Sequence, residues 1–229
     1  MINIRRSSER GSANYGWLNA KYTFSFANYY DPEHTGFRDL LVLNQDLISP
    51  GGGFSPHPHR DMEILTYIIS GSLAHKDSMG HEDIIHKGQI QRRSAGSGIV
   101  HSEYNPSVND ETCLLQIWIR PDLKGIRPSY ENINFDIQDG IQLIVSPQHQ
   151  SDVATINQNL YVYACRFKSH TELSLDFLEL DNIWIQVIEG QVGIDDQMAY
   201  VGDGVSIEGI TNKKLKIYGN TEFILLNLK

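Results

Sequence analysis

The sequence predicts an all-β chain made of two antiparallel β-barrel domains. Short runs of β-branched, aromatic and leucine residues recur throughout, punctuated by Gly, Pro, Asn and Asp. No window of a dozen residues keeps a strong 3.6-residue apolar period with helix caps. One strand–turn–strand unit also occurs twice. Many short strands with glycine-rich turns indicate a sandwich or barrel.

In chain order the strand-forming runs are "FRDLLVLNQDLI", "MEILTYIISGSLAHKDS", "TCLLQIWIRP", "IQLIVS", "LYVYACRF", "NIWIQVIEGQVGI" and "LKIYGNTEFILLNL". Each is short enough for a strand and bounded by turn residues. "LTYIISGSLAHKDS" around Gly71 echoes "WIQVIEGQVGIDDQ" around Gly190, an apolar strand turning at glycine into a second strand. Further glycines follow both copies: Gly88 in the first, Gly202 and Gly204 in the second. A repeated unit implies a duplicated architecture. Between the copies, "RPDLKGIRPSYENINF" (120–135) is rich in Pro, Gly and charge and reads as a linker. The expected domains are 1–128 and 129–229.

The 229 residues suffice for two small domains or one large one, each with a real core. A net charge of −9 argues against direct nucleic-acid binding, which needs clustered Lys and Arg. The Arg pairs at 5–6 and 92–93 and the Lys pair at 213–214 are too short to reverse this and read as solvated surface charges. Cys113 and Cys165 sit in apolar runs and read as buried reduced thiols, with no CxxC or Cys/His cluster to hold structural zinc. No apolar run resembles a signal peptide or a membrane span, so the expectation is a cytoplasmic protein without membrane contact.

The chemistry concentrates in "GGGFSPHPHRDME" (51–63) and "GSGIVHSEYN" (96–105). Residues two apart on a strand share a face, so His57 joins His59 and His101 joins Glu103. Glu63 keeps the parity of His57 if its strand continues. Two such strands side by side in a barrel would converge three imidazoles and a carboxylate. That set suits a divalent transition ion such as Fe, Mn, Co, Ni, Cu or Zn, with room for water or substrate. A lone His-x-His is more often polar surface; the His-x-Glu some forty residues later, framed like it by glycines, overturns that reading. The other histidines lack same-face partners, and His75, His81 and His86 lie in a turn-rich stretch that reads as exposed. The N-terminal aromatics (Tyr15, Trp17, Tyr22, Phe24, Phe26, Tyr29 and Tyr30) suit a flat-substrate pocket, but core or inter-barrel packing is the favoured reading.

Gly51-x5-His57-x-His59-x3-Glu63-x7-Gly71 resembles the first cupin motif with one extra residue before its last glycine, and Gly98-x2-His101-x3-Asn105 resembles the end of the second. "HPHRDMEILTYIISG" followed by "AGSGIVHSE", with "YGWLNAKYTFSFANYYDP" near the start, is similar to the pirin family of bicupins, and within it to the bacterial quercetin 2,3-dioxygenases. The resemblance covers nearly the whole chain and is strong in the first half. "RRSAGSG" lacks the proline usual before the glycine of the second motif.

The resemblance implies two jelly-roll barrels packed face to face. It implies one divalent metal ion held by His57, His59, His101 and Glu103, with Glu63 as a hydrogen-bond partner rather than the ligand it is in general cupins. It implies a flavonol-like aromatic substrate and dioxygen, ring opening with loss of carbon monoxide, and Glu103 as the base for the 3-hydroxyl proton. The alternative it carries is non-enzymatic: a metal- or redox-dependent partner of a transcriptional regulator or metabolic enzyme. Measured back from Gly190, the counterparts of His57 and His59 fall near Asp176 and Leu178, and that of His101 near Leu215–Ile217. None of these makes a ligand set, so the second barrel is expected to be structural or to wall the cleft.

Overall fold

The computed structural model describes residues 1–210 and 212–229, which form antiparallel sheets with one short 3-10 turn, Ser7–Glu9, and no α-helix among them. None of the described helices is long and apolar enough to cross a membrane. Two compact units divide the chain. One is Gly11–Phe135 with Gln148–Gln158; the other is Met1–Arg10 with Asp136–Pro147 and Asn159–Lys229.

The first unit pairs a large sheet with a four-stranded one. The large sheet runs Ser129–Asn134, Gln89–Ser94, Glu63–Ser70, Thr112–Ile119, Leu40–Ile48, Leu18–Tyr22, Gly11–Asn14. The small one runs Gly53–His59, Ile99–Tyr104, Ser72–Asp77, Glu82–His86. The second unit repeats the order with its own strands: Ile2–Arg5, Gly204–Glu208, Asn182–Glu189, Thr221–Leu228, Leu160–Phe167, Gly140–Ser146 in one sheet, and Thr171–Ser174, Lys214–Ile217, Gln191–Ile194, Gln197–Tyr200 in the other. The duplication read from the glycine echo is therefore present strand by strand.

The division differs from a boundary at 128/129 because each large sheet takes an edge strand from the far side of it. Ser129–Asn134, inside the stretch read as a linker, pairs with Gln89–Ser94. Ile2–Arg5 pairs with Gly204–Glu208. Both segments alternate residues in a two-residue period that a pass for long apolar runs does not register.

The interiors of the two units are unlike. The second is filled with aliphatic and aromatic side chains, among them Phe167, Ile183, Val187, Leu215, Ile217 and Phe223. The first carries a row of polar residues across the inner face of its large sheet. Tyr22, Asn44, Gln116, Thr66, Gln91 and Asn132 are successive cross-strand register partners. Asn44, Thr66 and Gln91 are almost completely buried. This row makes the floor on which the candidate site rests.

Gly71 and Gly190 turn the equivalent hairpins with φ of 77° and 74°, a left-handed backbone that favours glycine. A Cβ on Gly190 would stand 2.3 Å from the Asn220 carbonyl oxygen, and one on Gly71 2.8 Å from that of Glu111. Gly190→Ala should therefore lower stability by about 2 kcal/mol or more, through strain and clash together, and Gly71→Ala by somewhat less. Thermal denaturation checks both; a Gly190→Ala protein as stable as the parent would contradict the assignment.

Candidate metal centre

The two histidine segments meet because the strands Gly53–His59 and Ile99–Tyr104 are neighbours in the small sheet. His101 is the register partner of His57, and Ile99 that of His59. An irregularity between His101 and Glu103 sets Glu103 opposite Phe54, so the extra residue lies in the strand Gly53–His59. The rings of His57 and His59 are 4.9 Å apart, those of His57 and His101 4.4 Å, and those of His59 and His101 4.8 Å. One ligand atom from each of the three lies within 4.8 Å of the others.

The electrostatics keep the His59 and His101 imidazoles neutral. Burial, then the neighbouring His57 and Arg93, push the His59 pKa down to about 4. His101 is lowered further, by burial first and then by Arg93 and the neighbouring histidines. The His57 Nδ1 sits 2.8 Å from the Ser55 carbonyl oxygen, which fixes a proton on Nδ1 and leaves Nε2 free. The buried His101 Nε2 has no hydrogen-bond partner. Three clustered imidazoles, two of them held neutral and one with a buried ring nitrogen lacking a partner, are a donor set that suits a divalent cation.

Glu103 is close by but grouped differently. Its ligand atom falls within 4.8 Å of those of His101 and His75 rather than in the His57–His59–His101 cluster, though its side chain lines the same cavity as His57 and His59. One carboxylate oxygen accepts a 3.0 Å hydrogen bond from Gln116 Nε2. The other lies 2.8 Å from Arg93 Nη2, an ion pair without the alignment of a hydrogen bond. Arg93 also donates to Thr66 Oγ1 at 3.1 Å, and its Nη1 contacts the Nδ1 atoms of His75 and His101. Coordination through His101 Nε2 puts a hydrogen on Nδ1, so the guanidinium must then give up that contact.

Sequence reasoning missed this guanidinium. Arg92 and Arg93, read as solvated charges, are 3% and 0% exposed. Arg92 pairs with Glu131 at 2.6 Å, and Arg93 points inward among the histidines. His75, read as exposed, is also buried, stacked on Tyr130 at 5.1 Å. The available signal was parity: Arg93 is two residues from Gln91 on one strand, so both face the interior.

Glu63 stands apart from the histidine groups. Its register partner is Ser94, and the Ser94 hydroxyl donates to its carboxylate at 2.7 Å. Arg93, the next residue along, points to the opposite face. The parity between His59 and Glu63 is broken at Arg60–Met62, where Asp61 takes a positive φ of 48° and the chain passes to another sheet. In the second unit the strand equivalent to Gly53–His59 is Thr171–Ser174, earlier than the Asp176 and Leu178 reached by counting, because 175–181 is a longer connection than 60–62. Leu173 pairs with Leu215, and Thr171 with Ile217. No ligand set stands there among the described residues.

Above the histidines opens a cavity of about 380 Å³ with mostly apolar walls. Trp17 and Phe54 meet edge to face at 5.0 Å, and Trp118 meets His59 in the same way at 4.9 Å. Tyr15, Trp17, Tyr22 and Phe26 from the N-terminal aromatic stretch line it, and the packing reading holds as well: Tyr22 belongs to the barrel's hydrophobic core, with Trp17, Phe26 and Tyr29 packed against it. Phe24 is buried instead, and Tyr30 is exposed.

Comparison with known proteins agrees with this architecture. The pirin family model matches residues 3–119, and the model of the quercetinase C-terminal cupin domain matches 143–228. The chain belongs to the pirin family. Its two barrels are the two cupin domains of a bicupin. It is 42% identical to the quercetin 2,3-dioxygenase of Escherichia coli K12 over 228 residues, covering 100% of this chain and 99% of that protein. The crystal structure of YhhW from E. coli superposes with a TM-score of 0.94 at 41% identity, covering 100% and 98% of the two chains. That of bacterial pirin YhhW in complex with nickel(II) superposes with a TM-score of 0.93 at 40% identity, covering 100% and 99%.

The Glu63 carboxyl is raised to about 7 by burial, against the opposing Ser94 hydroxyl, Arg92 charge and Asn157 amide. A carboxyl raised in the folded state adds stability that is complete below its ordinary pKa and lost as pH rises through 7, on the order of 3 kcal/mol. Glu63→Gln should therefore melt higher than the parent at pH 8.5 and close to it at pH 4.5. Equal melting differences at both pH values would contradict this account.

Proposed function

We propose that this pirin is a metal-dependent dioxygenase that opens the heterocyclic ring of a flavonol, a quercetin 2,3-dioxygenase by type of reaction. The observation that carries the proposal is the cavity itself: flat aromatic walls ending on His57, His59 and Glu103. The E. coli relative named for this activity supports it, as does the nickel(II) complex of the YhhW protein.

In this reading His57, His59, His101 and Glu103 hold one divalent transition ion. The neutral His59 and His101 rings and the unpartnered His101 Nε2 fit that demand, and the donor set accepts nickel, iron, cobalt, manganese, copper or zinc. Bound there, such an ion supplies Lewis acidity and an open position for an oxygen donor. The residues of the chain supply the rest. Glu103 takes the proton of the flavonol 3-hydroxyl, acting as general base. Gln116 and Arg93 hold its two oxygens and aim the carboxylate at the cavity. Trp17, Phe54 and Trp118 sandwich the flat rings and exclude water from the reacting face. A flavonol and dioxygen then give a ring-opened ester and carbon monoxide.

The test is oxygen uptake with carbon monoxide release by nickel-loaded protein supplied with quercetin. His59→Ala should lower turnover at least about 100-fold while the circular dichroism spectrum and melting temperature stay near those of the parent. Turnover within tenfold of the parent in that variant would overturn the proposal. Consumption of neither quercetin nor dioxygen by fully loaded parent protein would favour the binding-partner role instead.

A further inference from the structure

The cavity wall carries polar groups that the reaction does not use. Asn44, on the strand Leu40–Ile48, is the register partner of Gln116, whose amide holds Glu103. It lines the cavity, is 3% exposed, and its Oδ1 has no hydrogen-bond partner. Its neighbours in the polar row do better: the Thr66 hydroxyl donates to Gln116 Oε1 at 3.0 Å. A buried amide oxygen without a partner is costly, and it persists where something outside the fold satisfies it.

Two residues further along the same face, Asp46 also lines the cavity and is 4% exposed. On the neighbouring strand, two residues past Gln116, the indole Nε1 of Trp118 is buried without a hydrogen-bond partner, on the ring that stands against His59. The surrounding wall is Trp17, Leu18, Tyr22, Phe26 and Phe54. Besides the hydroxyls of Tyr15 and Tyr22, which hydrogen-bond to one another, the cavity therefore holds two acceptors on one strand and one donor nearer the histidines. Few polar groups at fixed points in an apolar pocket are what orient a small ligand.

We propose that Asn44 Oδ1 and the Asp46 carboxylate form a second recognition point, accepting hydrogen bonds from a hydroxyl of the aromatic ligand other than the one that meets Glu103. Trp118 Nε1 donates to an oxygen of the same ligand. The ligand is thus a polyhydroxylated aromatic rather than any flat ring bearing a single hydroxyl. This deepens the flavonol reading and rests on it for the choice of probes.

The experiment compares 3-hydroxyflavone, which has only the reacting hydroxyl, with galangin and quercetin, which carry further ones. Binding to nickel-loaded protein is read by quenching of tryptophan fluorescence, and turnover by oxygen uptake. The parent should bind at least one polyhydroxylated flavonol about fivefold or more tightly than 3-hydroxyflavone, the worth of one buried hydrogen bond. In Asn44→Leu and Asp46→Asn that advantage should shrink, to within about twofold in the leucine variant. Equal binding of all three by the parent overturns the proposal without any variant having to fold, as does an advantage fully retained in both variants. Oxygen uptake without preference among the flavonols sinks the second recognition point and leaves the dioxygenase reading standing. Discriminating binding without oxygen uptake does the reverse, and no binding of any flavonol overturns both.

Discussion

An arginine with no solvent exposure, Arg93, stands inside the first barrel, and much of that barrel's interior follows from it. A buried guanidinium is tolerated only where acceptors surround it and a countercharge is near. Glu103 supplies the charge, Thr66 and Gln116 the neutral acceptors, and His75 and His101 unprotonated ring nitrogens. Each of those groups is in turn held in place. The carboxylate is fixed between Arg93 and Gln116 before any ligand arrives, and the same positive charge helps keep His59, His75 and His101 neutral. Removing one partner of such a pair leaves an unpaired buried charge, at a cost of about 3–5 kcal/mol.

The two barrels share a strand order and differ in what fills them. Where the first has His57 facing His101, the second has Leu173 facing Leu215. Aliphatic and aromatic side chains fill the second interior; polar ones line the floor of the first beneath an aromatic cavity. One scaffold thus supports a packed core and a reactive pocket, depending on a few inward positions in the small sheet and the polar row across the large one.

Much of this was legible in the residues. His57, His59 and His101 were recoverable because a strand's two-residue period places i and i+2 on one face and glycines mark where those strands begin. Counting failed where the backbone departs from that period. The positive φ at Asp61 breaks the phase between His59 and Glu63, so the carboxylate nearest in sequence faces away while Glu103 enters the cavity. The buried Arg93 and His75 were read as exposed because charge and turn-like neighbours outweigh parity in a local reading. The strands Ile2–Arg5 and Ser129–Asn134 escaped because they are edge strands, specified by the sheet they join rather than by their own apolar content. Membership of the pirin family was legible because its motifs are contiguous; the order of ligands around a centre is not contiguous, and the fold decides it.

The central claim is that three histidines and Glu103 hold one divalent ion at the base of the aromatic cavity. Calorimetric titration of metal-stripped protein with nickel(II) tests it most directly, alongside His101→Ala, Glu103→Gln and Glu63→Gln. The account predicts one ion per chain in the parent and in Glu63→Gln, binding weakened about tenfold or more in Glu103→Gln, and no saturable site in His101→Ala. Loss of the site in Glu63→Gln with full retention in Glu103→Gln would contradict it.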